Sequence, residues 1–511
     1  MKINDRFPVT EELLREVVSE GLKHGGDWCD LYFEDSSYNE LLLRDGEVTS
    51  GGHHLDFGAG IRVIKGDKTG YAYTEKLDRR SLLSAAGMAA SIACMSSECT
   101  HPFNSGSIEG DQKVFCSPSY GLPNPRRLTS ATPIRGISRL RCGPFGTFGL
   151  PSAACYDSRL DWRSAGISKF IPFMKRIDSE IRSRDARAIK VVAMLSYSVS
   201  DIMMYNSLGE LTCDSRPLGS VSVQTIFKQG GRTEDSSVSR SLRRGPEMID
   251  EALLDDLVSR AVRGIDAKFE AKRPKGGRMP VVMGAGASGI LLHEAMGHAF
   301  EADFNRKGQS IFSGKIGERI CRKGINIVDD GTLPGSRGAC RYDDEGVPGQ
   351  KTYMVTDGVL TSYLHDRISA SYFGVTPTGN GRRESFRYNP IPRMRATYME
   401  SGHDGSVEDL ISSVKKGIYV DQFANGQVKI GEGDFTFYVK NGALIENGRL
   451  TMPVKDINII GNGPQALADI IAVADDLKID EGTWTCGKEQ SVPVSCGIPS
   501  VLIKSLTVGG E

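Results

Sequence analysis

The sequence predicts an α+β protein: an N-terminal α+β domain followed by a β-rich C-terminal domain. Three observations carry that prediction. The chain has 511 residues, too many for a single hydrophobic core. Helical spacing and hairpin patterns stand side by side near the N-terminus. Beyond Gly277 the pattern changes to short strands joined by glycine-containing turns.

The elements follow in order. Thr10 is placed to cap a first helix whose Leu13, Leu14, Val17, Val18 and Leu22 share one face. A short strand is expected over 31–33, and a Lys65-Gly66-Asp67-Lys68 turn joins strands over 61–64 and 71–73. Residues 81–93 read as an alanine-rich helix. Over 94–165 neither period is found, and five of the 11 cysteines and seven of the 22 prolines fall there. That composition reads as a poorly ordered linker. A second reading makes it the product of a shifted reading frame, because the flanking segments are well patterned. Met174, Ile177 and Ile181 mark the next helix face, and strands are expected over 191–197, 202–205 and 221–227. A helix over 250–266 leads to Ala271-Lys272-Arg273-Pro274-Lys275-Gly276-Gly277, a polar boundary rich in helix breakers.

The N-terminal domain is therefore read over 1–93 and 166–270, and the C-terminal domain over 271–511. In the latter, hairpins are expected at Asp357-Gly358 and Asn441-Gly442, and helices over 288–300, 407–415 and 464–474.

Composition narrows the function. A formal net charge of −1 supplies no electrostatic basis for nucleic acid or an anionic membrane as partner. No stretch approaches the roughly 20 apolar residues that span a bilayer, and Met1-Lys2-Ile3-Asn4-Asp5-Arg6 lacks the apolar run of a secretory signal. The 11 cysteines form no compact framework, so reduced thiols in the cytoplasm are expected.

The sharp motif is His293-Glu294-Ala295-Met296-Gly297-His298, set in an apolar helix. Imidazole is a good zinc ligand, and a glutamate beside the ligands can act as general base on water. In the familiar His-Glu-x-x-His motif both histidines share a helical face. Here the second comes one residue later, which turns the pair about 140° apart on a straight helix. If both bind one metal, either a π-bulge or a helix break at Gly297 must restore them to one side. Leu291, Leu292 and Met296 pull this helix into the core, where an idle Glu294 would be costly. A catalytic zinc needs a third protein ligand and an open position. His365, His403, Glu301, Asp303, Cys486 and Cys496 are the candidates, with Cys486 slightly favoured for its glycine-flanked loop.

These residues, together with Glu301-Ala302-Asp303-Phe304-Asn305-Arg306-Lys307-Gly308, Phe312-Ser313-Gly314, Asp343-Asp344-Glu345-Gly346, 376–385 and Thr507-Val508-Gly509-Gly510, resemble the TldD branch of the TldD/PmbA metallopeptidases. The resemblance covers about 10–93 and 170–511. It implies that the β-rich C-terminal domain carries the zinc, that His293 and His298 are ligands, and that Glu294 is the base. It also picks Cys486 over Cys496, because Cys486-Gly487-Lys488 precedes Val492-Pro493-Val494 as the family's cysteine ligand precedes its Val-Pro-Val. It further implies proteolysis of small or unfolded peptides by a homodimer or a heterodimer with a PmbA-like subunit. The chain departs from the family over 94–165 and at Ser239-Arg240-Ser241-Leu242-Arg243-Arg244-Gly245, where the family has a glycine-rich loop. The rival reading is a non-catalytic, metal-bearing subunit or regulatory partner of a protease complex. Arg382, Arg383 and Glu384 read as a solvated loop face rather than as groups that hold a peptide.

Overall fold

The computed structural model describes residues 6–95, 114–115, 155–156, 158–429 and 433–510. The stretch read as irregular over 94–165 thus lies outside the described residues except at 94–95, 114–115, 155–156 and 158–165.

The first half is built on strands far longer than the hydrophobic pattern suggests. Trp28–Arg44, Glu47–Lys65, Ala188–Asn206 and Leu211–Gln229 run antiparallel at the centre of a seven-stranded sheet. Its order is completed by Val114–Phe115 and Lys68–Thr74 on one side and Arg232–Leu242 on the other. Side chains alternate across a strand, so Cys29, Leu31, Phe33, Leu41 and Leu43 share one face. Helices Glu11–Leu22 and Arg79–Cys94 cover one end of that face, and Ile171–Arg184 and Glu251–Val262 cover the other. Thr10 and Asp78 cap the first two helices by accepting from Leu13 N–H and Ser81 N–H. Met174, Ile177 and Ile181 are all buried, as their spacing predicts. Trp162, also buried, stacks on Tyr197 with centroids 4.5 Å apart.

The opposite face explains why only 31–33 looked strand-like. Its residues are Asp30, Tyr32, Glu34 and Ser36, polar yet mostly buried, because the second half of the chain packs there. Arg62 meets Asp30 through Nη2 at 2.6 Å and Glu345 at 2.6 Å. Phe386 N–H donates to Glu34 at 2.8 Å, and the Phe386 ring packs among Tyr32, Tyr71 and Tyr73.

The second half has two larger sheets around one core. In the first, Ile327–Asp330, Ala396–Met399 and Ser495–Ile498 are central, the last two parallel. In the second, Lys416–Val428 pairs with both Gly277–Met283 and Asp434–Glu446, which closes the sheet on itself. Val501–Gly509 is interior to it, between Gly277–Met283 and Asn458–Asn462. The fold class is α+β, as predicted.

Several local expectations are corrected. Asn441-Gly442 is no turn but part of the continuous strand Asp434–Glu446. Glycine is required there because a β-carbon would come within 2.6 Å of the Tyr419 carbonyl oxygen. The turn falls at Asn447-Gly448, both in the left-handed region at φ 49° and 78°. The helix expected over 464–474 ends at Ala468, and the β-branched Ile470, Ile471 and Val473 form a strand instead. The helix over 250–266 breaks at Gly264, where φ is 75°.

Candidate metal centre

The helix Gly289–Ala295 sits close to the strand Ser495–Ile498 because Gly289 has no side chain: a β-carbon there would come within 2.7 Å of the Gly497 nitrogen. His293 lies in its last turn. The helix ends at Met296 (φ −130°, ψ −38°), and a 3₁₀ turn, Gly297–Phe300, carries His298. The extra residue between the histidines is therefore absorbed by a break, the second of the two distortions the spacing allows. Gly297 lies against the Met394 sulfur, which a β-carbon would overlap. The two imidazoles face each other with centroids 5.4 Å apart and planes at 78°.

Cys486 arrives from the far end of the chain. It lies in Thr485–Lys488, which forms a hairpin with Gln490–Pro493 and turns at Glu489 (φ 58°). Its Sγ is 3.4 Å from Nε2 of His298. Ligand atoms of His293, His298 and Cys486 all lie within 4.8 Å of one another, and all three residues are buried.

The electrostatics couple these groups. Burial opposes ionisation of the Cys486 thiol. The charge of His293 and the charge and hydrogen bond of His298 outweigh it and bring the pKa down to about 4. Burial likewise disfavours a charged His298, but Glu301 and Cys486 raise it to about 10. Nδ1 of His298 is bonded to Glu301 Oε2 at 2.8 Å, which leaves Nε2 directed at the thiol. His293 has no such carboxylate among the described residues: neither ring nitrogen makes a hydrogen bond of good geometry there, although its proximity helps to hold the Cys486 thiol low. A buried polar group is normally satisfied, so this imidazole lacks something. Two imidazoles and one thiolate form a soft donor set of the kind zinc takes, and tetrahedral zinc separates such atoms by about 3.5 Å. The residues fit a zinc ion.

Glu294 stands at the edge of the trio. Its Oε2 is 3.9 Å from Nε2 of His298, and 30% of its side chain is exposed. It is adjacent to the donors and reachable from outside.

The other candidates for third ligand fall elsewhere. Cys496 is buried in Ser495–Ile498, where desolvation raises its pKa well above that of an ordinary thiol. His365 packs against Tyr363 and Phe373, and burial lowers its pKa to about 4. His403 is exposed. Glu301 serves His298, and Asp303 accepts from Lys488 Nζ at 2.8 Å. Arg382 and Arg383 are not a solvated face. Both are buried, Arg382 donating to the Pro493 carbonyl and Arg383 to the Asp344 carbonyl, while Glu384 alone is exposed. Lys488 and Arg393, buried around the hairpin, carried no readable signal, since a lone basic residue in a strand pattern reads as solvated.

Comparison with known proteins agrees along the chain. Sequence profiles of the PmbA/TldA metallopeptidase match at domain 1 (residues 29–93), the central domain (160–267) and the C-terminal domain (276–510). The chain is 37% identical to the metalloprotease TldD homologue of Haemophilus influenzae, covering 95% of this chain and 93% of that protein. It is 34% identical to the homologue of Buchnera aphidicola from Acyrthosiphon pisum, covering 100% and 97%. A zinc metalloprotease TldD homologue of Saccharolobus solfataricus is 32% identical over 57% of this chain and 65% of its own length. In fold, the chain is similar to TldE of Thermococcus kodakarensis, with a TM-score of 0.69 at 18% identity, covering 98% of this chain and 100% of that one. A Bacteroides thetaiotaomicron protein named for a supposed modulation of DNA gyrase gives 0.70 at 20% identity, covering 98% and 99%.

Proposed function

The chain belongs to the PmbA/TldA metallopeptidase family, and from that premise we propose that it is a zinc-dependent peptidase acting on small or unfolded peptides. One observation carries the reading. Three buried donors converge, and beside them stands a carboxylate, Glu294, that is partly open to solvent. A purely structural zinc site has four closed protein ligands and no use for such a carboxylate.

His293, His298 and Cys486 would hold the zinc. When bound, the ion supplies Lewis acidity that polarises a carbonyl and acidifies water. Glu294 then acts as general base on the attacking water, and afterwards hands the proton to the leaving amine nitrogen. A thiolate donor gives the metal more charge than a third imidazole would, so more of the proton removal falls to Glu294.

Among the described residues no helix is long and apolar enough to cross a membrane. We place the chain in the cytoplasm, where cysteines are kept reduced and a thiolate such as that of Cys486 stays available to a metal. We assign the working form to a dimer, with itself or with a PmbA-like subunit.

The test compares the parent protein with Glu294→Gln for zinc content and for cleavage of an unfolded peptide. Equal zinc is expected, with turnover falling about 10²–10⁴-fold in the variant. Undiminished cleavage by the variant removes Glu294 from its role. Zinc without cleavage by either protein would favour a metal-bearing subunit with no chemistry of its own.

A further inference from the structure

The carboxylate of Glu301 is fully buried at the junction of the two chain segments that carry the donors. Its Oε2 accepts from Nδ1 of His298 at 2.8 Å and from Nζ of Lys488 at 2.9 Å. Its Oε1 faces Nε of Arg393 at 4.0 Å. Lys488 is on the hairpin of Cys486, and its ammonium is fixed further by Asp303 at 2.8 Å and by the Pro392 carbonyl at 3.2 Å. Arg393 grips the same hairpin by its backbone, donating to the carbonyls of Cys486 at 2.6 Å, Gln490 at 2.8 Å and Lys488 at 3.3 Å.

A carboxylate only accepts hydrogen bonds, so in neutral His298 the proton must sit on Nδ1 and Nε2 is left to ligate. The same oxygen anchors Lys488, two residues beyond Cys486. Oε2 is spent on these two groups, Oε1 makes no hydrogen bond, and Glu301 is not among the donors that converge with His298 and Cys486. Placing this much charge in the interior is unfavourable unless every member is paired. The arrangement suits a device that fixes geometry.

We propose that Glu301 is the positioning residue of the centre, and that with Lys488 and Arg393 it sets both the ligating nitrogen of His298 and the placement of the Cys486 hairpin. This rests on reading His293, His298 and Cys486 as the metal ligands. Partners in the second shell of a metal site change affinity by about 10–100-fold when removed, and that is the size expected here. Because Glu301 and Lys488 share a contact, their losses should fall short of multiplying.

The experiment uses the full-length protein and the variants Glu301→Gln, Lys488→Met and the double variant. Zinc dissociation constants are measured by chelator competition, and the absorption of the cobalt(II)-substituted protein reports donor geometry. Melting of each chelator-treated protein checks the fold. The expected result is a fall in zinc affinity of about 10–100-fold in each single variant. The double variant should lose less than the product of the two single losses, and the cobalt bands should shift. Lys488→Met carries the test alone if Glu301→Gln does not fold. Zinc affinity within twofold of the parent in the folded variants, or losses that multiply in the double, would overturn the proposal. Cys486→Ser is the separate check on the ligand reading: undiminished zinc affinity there removes Cys486 from the ligands whatever Glu301 does.

Discussion

Arg62 and Glu345 form an ion pair at 2.6 Å in which neither side chain is exposed. They come from opposite halves of the chain, and the Arg62 guanidinium also holds Asp30. Burial acts against ionisation of Asp30, but Arg62 and Arg383 keep its pKa below the ordinary 3.8. Asp30 therefore contributes stability above its ordinary pKa that disappears as the pH falls through its folded one. Replacing Arg62 with Met takes the guanidinium from buried Glu345 and leaves Asp30 to Arg383 and Trp28, and it should destabilise the fold by about 3–5 kcal/mol. Urea unfolding near neutral pH measures it, and a loss below about 1 kcal/mol would show that the pair is not what joins the halves.

Glu34 predicts a pH dependence of the other sign. Burial pushes its carboxyl up to about 7, against the hydrogen bonds from Ser36 and from Phe386 N–H. Between its ordinary 4.5 and about 7 the folded chain keeps a proton that the unfolded chain has lost. Stability must then fall as the pH rises through this window, by about 3 kcal/mol in total from this group. Glu34→Gln should flatten that decline. Parallel stability curves for parent and variant between these pH values would reject it.

The ligand assignment separates the two cysteines that sequence chemistry alone left close. Cys486→Ser and His293→Ala should each lower zinc affinity more than 100-fold, beyond the roughly 10–100-fold of a second-shell change. Cys496→Ser, which alters a buried thiol outside the trio, should leave zinc content unchanged. Chelator competition on the purified variants decides it, and loss of zinc from Cys496→Ser would transfer the role.

Gly297→Ala forces a β-carbon into the Met394 sulfur. Overpacking of this kind costs about 1–3 kcal/mol, visible as a lower midpoint of unfolding. Met394→Ala in the same chain should recover part of the loss, because the two residues share the space. No recovery would place the strain in the backbone instead.

Much of this was legible in the sequence wherever a periodicity or a motif survived folding unchanged. Met174, Ile177 and Ile181 bury one helix face as their spacing says, and His293, Glu294 and His298 come together. The break at Met296 was legible as a need, since five residues on a straight helix cannot point two rings at one another, but not as a choice between break and bulge. Other features depended on contacts between distant segments. Asn441-Gly442 has the composition of a turn, yet its glycine serves a close strand crossing. Asp30, Glu34 and Arg382 look solvated, and each is buried by a partner hundreds of residues away or across a hairpin. Cys486 could be chosen over Cys496 only by resemblance, because which cysteine lies near His298 is a property of the sheets.

The donors are separated by 188 residues from His298 to Cys486. At 5–20 residues per second a ribosome takes roughly 10–40 s to cover that distance. A nascent chain thus exposes two imidazoles and a base well before the thiolate exists, and Lys488, which steadies His298 through Glu301, appears later still. The centre cannot close on a metal until nearly all of the chain has been made. On the proposed peptidase reading, hydrolytic competence is in this way withheld from incomplete chains, whose own unfolded segments would be the nearest peptides available.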